Sequence, residues 1–134
     1  MHQEGNKMSK ITLGPLYAEI AALAAEDIRA DPEGTFLYAQ AGPAWVSAAL
    51  FKDIGDKVIY REGSEELFMK ILEAWESESK DNKWAEIQMS LADGKFQADF
   101  LFEDDLNPDE TEHDRRERIL VARYGDKPVD YEDP

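Results

Sequence analysis

Carboxylates crowd one stretch of this chain: Glu103-Asp104-Asp105, followed closely by Asp109, Glu110, Glu112, His113 and Asp114. Oxygen donors of this kind suit a hard cation such as calcium or magnesium. The spacing of a calcium-binding loop and its central glycine are missing, and acids before a helix also serve the free N–H groups and positive dipole end of its first turn. A solvated acidic loop that caps a helix is therefore preferred over a metal site. Paired carboxylates also hydrolyse glycosides, but only at a fixed separation across a cleft, which sequence spacing does not set. A hydrolytic triad needs a base beside Ser, Thr or Cys; His2 lies near the terminus and His113 stands among acids. No cysteine is present, which removes disulfides, thiolate nucleophiles and Cys-ligated metal centres. The Gly-Asp-Lys triplets at Gly55 and Gly125 do not meet the phosphate-loop pattern. The chain thus reads as a non-enzyme, with no catalytic, cofactor-binding or metal-ligating residue assigned.

Composition bounds what these residues serve. The 134 residues suit one domain, and a 43% apolar fraction with three Trp, five Tyr and six Phe supports a packed core. Fifteen basic against 30 acidic side chains leave a net charge of −15. That field repels nucleic acid and anionic lipid and favours a cationic protein partner, although net charge also serves solubility alone. No run approaches the roughly 20 apolar residues of a membrane span. The polar amino terminus lacks the apolar core of a secretory signal, so the expected location is the cytoplasm.

The elements that must position these groups follow from periodicity. Leu16, Ile20, Leu23 or Ala24, and Ile28 share one face of a helix over residues 12–30, which Pro32 and Gly34 end. Extended segments over 35–40, 45–51 and 57–61 are joined by short turns and form an antiparallel meander. Ser64 with Glu65 and Glu66 marks a second helix start, and Leu67, Phe68, Ile71, Leu72 and Trp75 form its buried face. A strand over 83–91, the Asp93-Gly94 turn and a strand over 95–103 make a hairpin, with Phe96, Ala98, Phe100 and Phe102 on one face. A third helix is expected from Asn107 as cap to Tyr124, its first half exposed and supported by Glu112–Arg116 and Asp114–Arg118 pairs. The helix dipole accounts for Arg115, Arg116, Arg118 and Arg123 without phosphate recognition. Tyr38 and Trp45 are assigned to the core rather than to an exposed hot spot. The prediction is an α+β fold of order α-β-β-β-α-β-β-α, with an antiparallel sheet of about five strands. Its domain spans 11–125, between a flexible segment at 1–10 and an acidic tail at 126–134 in which Val129 and Tyr131 offer docking contacts. Apolar strand faces on both sides need cover, by a homodimer partner or by a further helix layer.

This element order, with the run Asp93-Gly94-Lys95-Phe96-Gln97-Ala98-Asp99-Phe100-Leu101-Phe102-Glu103-Asp104 and the charged segment Asp114-Arg115-Arg116-Glu117-Arg118, resembles the YezG-like antitoxin or immunity-protein family. Element order extends the resemblance over most of the chain, while the residue match is confined to about the last third. The tail from Arg123 to Tyr131 departs from the family pattern, which marks a divergent member. The resemblance implies a cytoplasmic protein that neutralises a toxin, often a nuclease, by direct binding. On that reading Asp99, Glu103, Asp104 and Asp105 are the candidate partner contacts, as mimics of substrate phosphates; ordinary charge on a sheet edge is the plainer account of all four. The alternatives are a regulatory or adaptor module and a carboxylate-based metal-binding protein or enzyme.

Overall fold

The computed structural model describes residues 14–132, and the architecture is α+β: three helices and a six-stranded, mostly antiparallel sheet. Helix α1 (Pro15–Asp27) begins at a proline, whose fixed φ suits a first helical position, behind Gly14. Residues 12 and 13 of the expected helix lie outside the described residues. Strands β1 (Phe36–Gly42), β2 (Trp45–Asp53) and β3 (Val58–Glu62) form the expected meander. Helix α2 (Glu65–Ser77) starts where Ser64 marks it, the serine Oγ accepting the Leu67 N–H at 3.2 Å. Strands β4 (Glu86–Ala92) and β5 (Lys95–Leu101) meet at Asp93-Gly94, whose φ values of 57° and 73° give the turn the left-handed geometry a two-residue hairpin requires.

The hairpin does not extend the meander at β3. β4 pairs with β1 instead, and the strand order is β5-β4-β1-β2-β3-β6. β1 is therefore central and all seven of its residues are buried. Helices α1 and α2 cover one sheet face, burying Ile20, Ala24, Leu67 and Ile71 against Leu37, Leu50, Ile87, Met89 and Phe100. Helix α3 (Glu112–Tyr124) crosses the opposite face, where Leu120 joins Phe36, Phe51 and Val58 in a second, smaller core. The second apolar face of the sheet is thus covered by a helix of the same chain.

Three expectations require correction. Helix α3 starts at Thr111, not Asn107: the Asn107 side chain accepts the Asp109 N–H (2.9 Å) and closes a separate turn, while Thr111 Oγ1 accepts the Asp114 N–H (3.0 Å) as the true cap. The first half of α3 is not uniformly exposed, because Arg115 is 7% accessible. Trp45 is not in the core but 49% exposed: it alternates with Ala49 and Phe51 onto the α3 side of the sheet and lies outside the small core those two residues join. Its indole lies across Gly42 on the paired strand, where a Cβ would come within 2.2 Å of the ring nitrogen. Tyr38 is buried as expected.

The tail adds a sixth strand that periodicity does not announce. β6 (Val129–Asp130) pairs in parallel with β3, flanked by a Val58 N–H to Pro128 carbonyl bond of 2.9 Å. Lys57 bonds Asp130 and Lys127 bonds Asp53, each at 2.8 Å. Val129 packs against the second core, and the Tyr131 ring meets Tyr60 at 5.4 Å. Among the described residues, no helix is long and apolar enough to cross a membrane.

Candidate functional site

The four candidate acids fall at one edge of the sheet. Asp99 is exposed on β5, the outermost strand, opposite Gln88 of β4. Glu103, Asp104 and Asp105 form a single 3-10 turn directly after β5. Glu103, Asp104 and Asp105 are all exposed, and the Asp105 carboxylate also accepts the Phe102 N–H at 2.8 Å and so fixes that turn. The strand beneath is rigidly placed: Ala98, Phe100 and Phe102 point into the main core, with Phe100 against Tyr17 at 5.3 Å and Trp84 at 6.0 Å. Alternation then forces Asp99 to the other face.

Sequence reasoning misses a fully buried carboxylate. Glu86, at the start of β4, has no accessible surface, and its carboxylate accepts two bonds from Arg115 of α3, through Nε and Nη2, both 2.8 Å long. Gln88 donates to the same carboxylate at 2.7 Å, and the Gln40 amide lies at 3.4 Å. Burial works to raise the Glu86 pKa, but hydrogen bonds from Arg115, Gln88 and Tyr38 and the guanidinium charge outweigh it, leaving the carboxyl below the usual range. The hydrogen bond to Glu86 raises the Arg115 pKa in turn. Tyr38, beside this carboxylate, is raised by burial first and by the Glu86 charge second, so its hydroxyl stays protonated. Every group here is held by another part of the chain, and the network joins α3 to the sheet. The available signal was position: Arg115 lies one helical turn before Ile119, on the stripe by which α3 docks.

The other arginines of α3 also depart from the expected pairs. Arg118 makes a two-pronged contact with Glu110 (2.8 and 3.0 Å) rather than pairing with Asp114. Arg116 sits over Phe51, Tyr60 and Tyr131, 5.3–5.5 Å from each ring centre, rather than pairing with Glu112. Arg123 stacks on Phe36 at 4.1 Å and donates to the Ser90 hydroxyl. A cleft of about 480 Å³ between α3 and β4–β5 is lined by Arg115, Arg118, Arg123, Gln88 and Asp105. Two of its three guanidinium groups are neutralised from within by Glu86 and Glu110, so its chemistry is that of a helix–sheet seam. Among the described residues, no three His, Asp or Glu side chains converge as metal ligands would. Compared with known proteins, the chain matches no family model, and no curated protein matches it significantly.

Proposed function

We propose that this chain is a cytoplasmic, non-catalytic binding protein that resembles an immunity protein and neutralises a basic, nuclease-type toxin by covering it. The observation that supports this most is the net charge of −15 combined with exposed acids on a rigid strand edge. A strongly negative field speeds encounter with a cationic partner, and a fixed local array then sets the orientation of the complex. Asp99, Glu103, Asp104 and Asp105 are the proposed contacts: all four are exposed, and Asp105 in addition fixes the turn through the Phe102 N–H. Such a protein acts by occupancy and needs neither turnover nor a cofactor.

The test is a pull-down from native lysate with the purified protein as bait, at low and high salt. The expected result is a basic toxin domain retained at low salt and released at high salt, with retention weakened by the combined change Asp99→Lys, Glu103→Lys. Retention of regulatory proteins alone, insensitive to those reversals, would replace this function with the adaptor reading.

A further inference from the structure

Helix α1 is unusual in carrying apolar side chains on a face that nothing among the described residues covers. One side of it, with Ile20 and Ala24, packs on the sheet; another meets α2, where Glu19 pairs with Lys70 at 3.1 Å. The third side presents Ala18, Ala22 and Ala25, of which Ala18 and Ala22 are exposed. A solvent-facing helix side ordinarily carries polar residues, and a helix apolar nearly all round is ordinarily covered. These small side chains form one wall of a groove of about 570 Å³; Leu91 and the half-buried Phe96 of the β4–β5 hairpin form the other. Its volume falls within the range of pockets that bind ligands, and its lining is mainly apolar.

The rim of this groove is charged and held in place. Asp31 and Glu33 stand on one side and Lys95 on the other. The Asp31 carboxylate accepts the Glu33 N–H at 3.1 Å, the Glu33 carboxylate accepts the Asp93 N–H at 2.8 Å, and Gly34 N–H bonds the Leu91 carbonyl at 2.8 Å. The loop and the hairpin are thereby tied together before anything binds, which lowers the ordering cost of association. A second copy is disfavoured as occupant, because it brings the same acidic rim and the same −15 charge.

We infer that this groove docks a basic segment of a partner protein that inserts one bulky apolar side chain between α1 and Phe96, with flanking lysines or arginines meeting Asp31 and Glu33. The inference rests on the cationic-partner reading above and adds to it a surface and a recognition rule. The full chain is titrated with two peptides, Lys-Lys-Phe-Lys-Lys and Lys-Lys-Ala-Lys-Lys, while backbone amide shifts are followed by NMR. Saturable binding of the Phe peptide is expected, with shifts confined to residues 18–33 and 91–96 and affinity roughly tenfold or more above the Ala peptide, the share expected for burying one aromatic side chain. Ala22→Trp, at an exposed helix position, should fill the groove and abolish that preference at an unchanged melting temperature; Asp31→Lys should weaken both peptides. Equal binding of the two peptides, unaffected by Ala22→Trp, would sink the groove and leave the cationic-partner reading standing. Failure of both peptides to bind would also sink the groove, while the cationic-partner reading stands or falls separately on the salt-dependent pull-down. If Ala22→Trp instead shifts amides of residues 1–13, or changes the sedimentation of the free protein, the groove is filled by the chain's own amino terminus or by a second copy, and the inference falls.

Discussion

A single carboxylate with no accessible surface, in a chain that carries 30 acids, decides how α3 is attached. Glu86 and Arg115 are each costly to bury alone and tolerable only together, because each satisfies the other's charge and hydrogen-bonding groups. Arg115→Met should therefore destabilise the protein by about 3–5 kcal/mol in urea unfolding, since it strands the carboxylate. The double change Glu86→Leu, Arg115→Met should recover most of that loss; full additivity of the two single costs would show that the residues act separately. The pH dependence has a definite sign. Because the folded Glu86 pKa lies below its ordinary value of 4.5, its contribution is complete above that value and is lost as pH falls through the lower folded pKa. Unfolding free energy measured from pH 7 down to pH 3 should fall less steeply in the double variant than in the parent, and identical slopes would count against the pair.

At the scale of elements, the joint between α1 and α2 turns on one hydroxyl. Ser64 Oγ donates to the Asp27 carboxylate at 2.7 Å and accepts the Leu67 N–H, so it ties the last residue of one helix to the first turn of the next. At the other end of α2, Lys83 donates to the Trp75, Glu76 and Glu78 carbonyls, at 2.9, 3.1 and 2.7 Å. Ser64→Ala should cost about 1–2 kcal/mol, the usual worth of a cap with a second bond lost, whereas Ser64→Asp should restore the cap but lose the hydroxyl bond to Asp27, which keeps only the residue 64 backbone N–H at 2.9 Å. Equal stability of the alanine and aspartate variants would argue against the capping role. Elements of this kind were legible in the sequence because their signals are local: the cap at Ser64, the Asp93-Gly94 turn, the alternation from Phe96 to Phe102. What stayed hidden depended on partners distant in sequence. Trp45 reads as core until the reach of the helices is known, Arg115 reads as surface until Glu86 lies beneath it, and β6 is two residues long and has no period to detect. For the candidate site, the run from Asp99 to Asp105 was visible as acidic, but the bond by which exposed Asp105 fixes its turn needed coordinates.

At the scale of the whole molecule, the sheet is closed at the β3 side by a strap whose ion pairs lie near the surface. Salt screens such pairs while leaving buried contacts largely untouched. Amide exchange at Val129 and Asp130 should quicken between low salt and 1 M NaCl while that of β1 stays slow; unchanged exchange in β6 would mean that Val129 packing alone holds the strap. The buried pair also orders events in time. Glu86 precedes Arg115 by 29 residues, so during synthesis β4 leaves the ribosome before the segment of α3 that carries its guanidinium partner. Until then the carboxylate has to keep its water, and this side of β4 cannot dry. The second face of the sheet closes only when α3 docks, and that docking takes two opposite charges out of water together.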